Sequence, residues 1–282
     1  MDINEKLSGD EAKKRWLPLF PWPKPDGHKY TRGHAVVIGG PLETGGAAKL
    51  SGTSALKTAA GLVTILAPDR EDMKTYISSC NVNALMWGTY DKLPDYLKPS
   101  DHITSIIVGP GFGKGEKQEH MLDEIVASGK PVVMDADALD KPRFNPHAII
   151  TPHEGEFARM FPKLTGTRED KALAAAKETG SVVLLKGSKT IVAAPDGRIF
   201  ENEPASPSLA TAGSGDTLSG IIGGLLAAGM PSYEAAIAGV YIHSRAGELA
   251  GLGSVADNFG EKIPEVLREL SPVQEQQRWT ER

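Results

Sequence analysis

The sequence predicts an α/β protein of three layers, α/β/α, built on a mainly parallel central sheet with an antiparallel edge. Three observations carry this. Short apolar runs recur without in-and-out alternation, so their strands are covered on both faces. Helix-like segments separate the runs, as parallel crossovers require. Glycine or charged residues follow many of the runs directly, where an open α/β sheet turns its strands into ligand-binding loops.

The elements follow in order. Residues 1–30 hold Pro18, Pro21, Pro23 and Pro25 with Trp16, Phe20 and Trp22 between them. They read as a first helix and an extended arm whose aromatics pack on the body or on a neighbouring subunit. The domain proper takes residues 31–282. His34–Ile38 is a buried-type strand that ends at Gly39-Gly40. Residues 47–60 form a helix despite Gly52, with side chains small enough for close packing on a sheet. Residues 62–66 are the next strand, stopped by Pro68. Residues 69–100 carry no clear pattern. A strand over 105–108 runs into Gly109-Pro110-Gly111-Phe112-Gly113, and a helix follows over 118–127. Residues 131–134 form a strand ending at Asp135-Ala136-Asp137, and Ala148–Ile150 ends at Thr151-Pro152-His153-Glu154. A helix over 169–178 precedes a strand over 181–185, which runs into Lys186-Gly187. Runs at 190–193 and 198–200 flank Pro195-Asp196-Gly197, a hairpin signal that supplies the antiparallel edge. The last third is helical over 216–228, 232–249 and 258–270, and the tail from Ser271 frays. No linker or repeat divides the chain after residue 30.

Composition excludes several classes. The formal net charge is -5 and no basic run could track a nucleic-acid backbone. Cys80 is the single cysteine, which rules out an internal disulfide and a cysteine metal cluster. The seven histidines include no His-x-x-x-His pair, so a zinc enzyme is not expected. The first ten residues are too polar for a signal peptide, and no run has the length and apolarity of a membrane span. A cytoplasmic protein is expected, with neither membrane nor nucleic acid as partner.

The richest segment is Thr211-Ala212-Gly213-Ser214-Gly215-Asp216, which leads into an apolar helix. Such a loop can aim several N–H groups and a helix N-terminus at an anion. A carboxylate beside them repels resting phosphate but can take the proton of a hydroxyl attacking it. The alternative is a tight turn with Asp216 as helix cap, and this segment alone does not decide between them. If strand geometry persists, Asp135 and Asp137 point to one side, to hold Mg2+ through water or to cap the next helix. Thr151-Pro152-His153-Glu154 fits a helix start with Thr151 as cap. That leaves His153 unexplained and free to donate to a ligand. In Lys186-Gly187-Ser188-Lys189-Thr190 the glycine permits a turn and the lysines can approach phosphate, Lys186 foremost; a solvated lysine turn is the alternative. His243 and the remaining histidines read as surface or satisfied core residues. The glycines at 111, 113 and 115 match neither a Walker A loop nor a dinucleotide fingerprint.

Together these segments resemble the ADP-dependent NAD(P)H-hydrate dehydratases of the ribokinase-like superfamily. The likeness spans residues 28–250. It is most specific in Thr151-Pro152-His153-Glu154-Gly155-Glu156-Phe157, in Leu185-Lys186-Gly187-Ser188-Lys189-Thr190 and in the run over 209–221. The resemblance implies repair of NADH or NADPH whose nicotinamide ring has added water. The 6-hydroxyl is phosphorylated from ADP, phosphate is eliminated, and AMP is released. It places the hydrate at Ala47, Gly113, His153 and Asp216, with Asp216 as base. It places the adenine nucleotide at Lys186, Gly187, Ser188, Lys189, Thr190 and Gly215, with N–H groups around Gly213 and Ser214 facing the transferred phosphoryl group. ADP is the co-substrate and Mg2+ neutralises its phosphates. A homo-oligomer such as a tetramer, and coupling to a separate epimerase, are further implications. A small-molecule kinase of the same superfamily, or a nucleotide sensor needing no base, would share the 213–216 loop. The match over 151–157 argues for the dehydratase. The sequence departs from the family at Pro41-Leu42-Glu43-Thr44 and over 203–209, where a Gly-Asn pair is common.

Overall fold

A computed structural model describes residues 6–7, 9–99, 103–140, 143–203 and 205–272. In chain order the elements are β1 (Lys6–Leu7), α1 (Gly9–Trp16), β2 (His34–Ile38), α2 (Gly45–Thr58), β3 (Leu62–Ala67), α3 (Arg70–Ser78), β4 (Met86–Thr89), α4 (Leu93–Leu97), β5 (Ile103–Val108), α5 (Glu116–Ala127), β6 (Val132–Met134), β7 (Ala148–Ile150), α6 (Glu154–Met160), α7 (Arg168–Thr179), β8 (Val182–Leu185), β9 (Ile191–Ala193), β10 (Ile199–Glu201), α8 (Ser214–Ala227), α9 (Ser232–Ala250) and α10 (Ala256–Leu270).

All ten strands join one sheet in the order β1-β10-β9-β8-β7-β6-β5-β2-β3-β4. Pairing is parallel from β8 through to β4 and antiparallel only at β8–β9 and β9–β10, so the Pro195-Asp196-Gly197 turn closes a hairpin at that side. β2 pairs in parallel with both β3 and β5, and the chain reverses its direction of travel across the sheet there. Such a switch point opens a crevice beyond the strand ends, where ligands bind in open α/β sheets.

The strand residues divide between two cores because successive side chains leave opposite faces. Val132, Met134, Val183 and Leu185 pack with α5, α6 and α7, while Val133, Ile149 and Leu184 pack with α1, α8, α9 and α10. Helix α8 is the central post of its layer and is buried almost all round. Residues 47–60 were expected against the sheet. Helix α2 does touch β2 and β3, yet its closest packing is against α8, where a Cβ on Gly220 would lie 2.2 Å from the Ser51 carbonyl oxygen.

The patternless stretch over 69–100 holds α3, β4 and α4. α3 is capped by Asp69, whose side chain accepts from Glu71 N and Asp72 N, but buries only Tyr76. β4 is an edge strand with no fully buried residue. Neither gives the periodic apolar signal on which a sequence reading depends. In the arm, Trp16 and Phe20 are buried in the α8–α9 core, with the Trp16 ring 5.5 Å from that of Tyr241. β1, for which the sequence offers no signal, pairs in parallel with β10. Of the tail expected to fray from Ser271, the part beyond residue 272 lies outside the described residues, as does Pro204 in the segment that departs from the family. Among the described residues no helix is long and apolar enough to cross a membrane.

Candidate active site

The site forms where β6, β7 and β8 end and α8 begins. Gly213 turns the chain with φ +84, a left-handed conformation suited to glycine, and Ser214 opens the helix. Gly213 occupies the cap position and offers no side-chain cap; Ser214 N donates to the Thr211 carbonyl at 3.3 Å, which leaves the N–H groups of Gly215 and Asp216 to face a ligand. The alternative of Asp216 as cap does not hold, because Asp216 lies inside the first turn. Its carboxylate has no hydrogen-bond partner among the described residues. Burial, and then the charge of Asp135, push it up to about 6 against the opposing pull of Lys186.

Asp135 and Asp137 do not share a side. The strand stops at Met134, and a short 3-10 turn over residues 136–139 sends the two carboxylates apart. Asp137 accepts from Gly113 N at 2.9 Å and pins the loop after β5. Asp135 is buried, accepting from Ala136 N at 2.8 Å, Ser219 Oγ at 2.8 Å and Lys186 Nζ at 2.6 Å. Burial alone would raise its pKa, but the Lys186 ammonium and these donors outweigh it and hold the carboxylate below its ordinary range. Lys186 is thus an internal counter-ion as well as a candidate for phosphate.

The reading of the segment 151–154 needs correction. His153, not Thr151, caps α6: its Nδ1 accepts from Gly155 N and Glu156 N, and Glu156 accepts from His153 N. The capping pattern therefore accounts for the residue it was expected to leave over. The ring is not consumed by this, since His153 remains half exposed and lines the cleft.

That cleft encloses about 420 Å³, within the range of small-ligand sites. It brings together Lys186, Gly187, Thr190, Ser214, Gly215 and His153 from three separate sequence segments. Leu209, Leu218 and Val240 add apolar lining suited to a flat ring. Ser188 and Lys189 stand on the exposed turn beside it, where the Lys189 ammonium meets Glu201 at 3.5 Å. Ala47 lies outside it, in the first turn of α2. Ser51, one turn on, donates to the Asp216 carbonyl at 2.9 Å, which ties that helix end to the anion loop. On the same side the loops after β2 and β5 meet, with Thr44 Oγ1 donating to the Gly111 carbonyl at 2.6 Å.

Sequence reasoning passed over His243. It is buried, pushed down to about 4 by that burial, and placed with Nε2 3.0 Å from Ser214 Oγ. Its neighbours in α9 are those of an ordinary core helix, so nothing local marks it. Ser219, which fixes Asp135, was hidden for the same reason.

Among the described residues no three His, Cys, Asp or Glu side chains group as a metal site. Mg2+ commonly binds through substrate phosphates with few protein ligands, so an anion loop beside a lysine fits a nucleotide-borne ion.

Fold and site define a ribokinase-like protein, with an anion loop at a helix N-terminus and a carboxylate beside it. The chain belongs to the NAD(P)H-hydrate dehydratase family, whose model matches residues 35–261. It is 35% identical to an ADP-dependent (S)-NAD(P)H-hydrate dehydratase of Neisseria meningitidis, over 86% of this chain and 88% of that protein. It is 33% identical to a bifunctional NAD(P)H-hydrate repair enzyme of Moorella thermoacetica, covering 86% of this chain and 51% of that protein, so it spans about half of that relative. Among solved structures, an ADP/ATP-dependent NAD(P)H-hydrate dehydratase of Bacillus subtilis co-crystallised with ATP and Mg2+ superposes with a TM-score of 0.82. Sequence identity there is 26%, with 96% of this chain and all of that one covered.

Proposed function

We propose that the chain dehydrates the 6S hydrate of NADH or NADPH at the expense of ADP, restoring the reduced dinucleotide and releasing AMP and phosphate. The observation that carries this is the Asp216 carboxylate: partly buried, without a hydrogen-bond partner among the described residues, pushed up to about 6, and set in the first turn behind the anion loop. A carboxylate used only for structure would be capped or paired. One left bare beside N–H donors suits accepting a proton from a hydroxyl that attacks phosphorus.

In this reading the hydrate's 6-hydroxyl oxygen forms a bond to the β-phosphorus of ADP. The bond from that phosphorus to the bridging oxygen breaks and leaves AMP, and the hydroxyl proton passes to Asp216. The N–H groups of Ala212, Gly213 and Gly215 face the charge that develops on the transferred group. Phosphate is a far better leaving group than hydroxide. The ring nitrogen then pushes it out from C6 and the C5 proton departs, which restores the dihydronicotinamide. Mg2+, carried on the nucleotide, neutralises phosphate charge. Lys186, Gly187, Ser188, Lys189 and Thr190 hold the nucleotide, whose adenine lies against the apolar lining of the cleft. Ala47, Gly113 and His153 orient the hydrate. Residues 31–282 form the catalytic domain and 1–30 its arm. The family resemblance further supports a cytoplasmic homo-oligomer that receives the S hydrate from an epimerase.

Incubation with NADPH hydrate, Mg2+ and ADP should restore the reduced-nicotinamide absorbance and form AMP in step. No recovery with either ADP or ATP would overturn the proposal.

Two residue-level outcomes follow. Lys186→Ala should weaken ADP binding roughly tenfold or more in calorimetry, since a partly buried charge-assisted contact is lost, and should affect hydrate binding less. His153→Asn keeps a good helix cap but removes the imidazole. It should leave the melting temperature near the parent's while lowering kcat/KM for the hydrate roughly tenfold through misorientation. A normal kcat/KM would reduce His153 to its capping role.

A further inference from the structure

The carboxylate of Asp135 sits where an anion is least expected. It is buried directly beneath a loop shaped for phosphate, and a Cβ on Gly215 would stand 3.6 Å from both Asp135 Oδ2 and Lys186 Nζ. Lys186 is the one lysine or arginine lining the nucleotide cleft among the described residues, and it spends its charge on Asp135 at 2.6 Å. If the site served nucleotide affinity alone, a neutral residue at 135 would leave that lysine wholly to the phosphates. We infer that Asp135 is a positioning residue for phosphoryl transfer: its buried carboxylate tethers the Lys186 ammonium beside the anion loop and sets a fixed negative charge against Asp216, at a cost in nucleotide affinity.

The fixing is thorough. Ala136 N and Ser219 Oγ hold the carboxylate from two directions, and Lys186 N donates to the Pro152 carbonyl at 2.8 Å, so the lysine is anchored at both ends. The ends of β6 and β8 are thereby locked to α8, the helix that bears Asp216. Of the groups around Asp216, Asp135 and Lys186 are the charged ones acting on it. α2 faces it with Ser51, and β5 meets α8 through Ser105. α9 brings His243, which burial keeps neutral, and α10 turns Ala256 and Phe259 inward. Asp135 raises the proton affinity of Asp216 and Lys186 lowers it. Together they leave the base strong enough to accept a proton near neutral pH, with the lysine still at hand for the phosphoryl group.

This inference rests on the reading of Asp216 as base, and the two fail separately. The test is single-turnover AMP formation against pH, at saturating ADP and hydrate, for Asp135→Asn, with ADP affinity from calorimetry. The asparagine keeps the side-chain shape and removes the charge. The acid limb should move about one pH unit lower and the plateau rate should fall about tenfold, because a weaker base accepts the proton less readily. ADP should bind more tightly, since the lysine is released to the phosphates. A limb within about 0.2 of the parent's, or ADP binding weakened tenfold with no movement of the limb, would overturn the inference and leave Asp135 a structural residue. Should Asp135→Asn fail to fold, Asp135→Asn/Lys186→Met removes both charges of the pair. Its acid limb should lie below that of Lys186→Met alone, and a limb level with that variant's counts equally against the inference. If Asp216→Asn keeps its turnover, the base reading itself fails. If Asp216→Asn is inactive while Asp135→Asn leaves the limb in place, only the present inference does.

Discussion

Asp216→Asn should lower single-turnover AMP formation by roughly 10²–10⁴-fold while ADP still binds, the range over which a general base contributes. The asparagine matches the aspartate in shape and sits at a position that no cap depends on, since Gly213 holds that place. What it removes is the acceptor for the hydroxyl proton. ADP affinity should hold or rise, because a negative charge close to phosphate is gone. Parent turnover should climb as pH rises through about 6, where the carboxylate ionises, and level off above it. The stability effect has the opposite sign. The folded-state pKa lies above the unfolded value of 3.8, so the native state binds the proton more tightly and loses stability as pH rises between the two values. Above about 6 the parent carries the full cost of an ionised, partly buried carboxylate, on the order of 3 kcal/mol for a shift of this size. The asparagine variant is free of that cost, so it should melt higher than the parent at pH 7 and no higher at pH 4. An inactive but stabilised variant is the signature of a carboxylate kept for chemistry. A rate within about threefold of the parent's would remove Asp216 from the role.

What the sequence made legible follows from where each signal lives. β2, β3 and β5 to β8 were readable because both of their faces are buried, which writes continuous apolar runs into the chain. β4 and α3 were not, because an edge strand and a helix that buries only Tyr76 leave mixed composition behind. The anion loop and Lys186 were visible as glycine and charge at strand ends. The partners that tune them were not: Asp135 and Lys186 are 51 residues apart, Asp135 and Ser219 are 84 apart, and Ser214 and His243 are 29 apart. Such pairs exist only once the sheet has brought its strand ends together. His153 failed for a different reason. Thr-Pro before Glu is a sound helix-start pattern, and an imidazole nitrogen accepting two backbone N–H groups does the same work two residues later. The helix was expected correctly and its cap was not.

Gly220→Leu should destabilise the fold by more than about 3 kcal/mol, beyond the usual cost of overpacking, because backbone would have to move. A Cβ on Gly220 would lie 2.2 Å from the Ser51 carbonyl oxygen and 2.8 Å from the Ser51 Cα, and one on Gly224 would lie 2.5 Å from the Ala55 carbonyl oxygen. Backbone meets backbone along this seam of α2 and α8, so no rotamer change can make room. Leucine's better helix propensity returns only about 1 kcal/mol. On the proposed function the seam also bears on turnover. Gly220 stands one turn beyond Asp216, and Ser51 binds the Asp216 carbonyl, so parting the helices displaces the base relative to Ala47. Chemical denaturation should show the midpoint falling sharply, and the folded fraction at low temperature should turn over more slowly than the parent. Gly46→Ala is the matched control. It lies in the same helix pair with nothing within 4 Å of the new Cβ, and its denaturation midpoint should stay level or rise. A Gly220→Leu variant that melts within about 2 °C of the parent would mean that α2 and α8 can separate without loss, and the close seam would no longer explain how the anion loop is held.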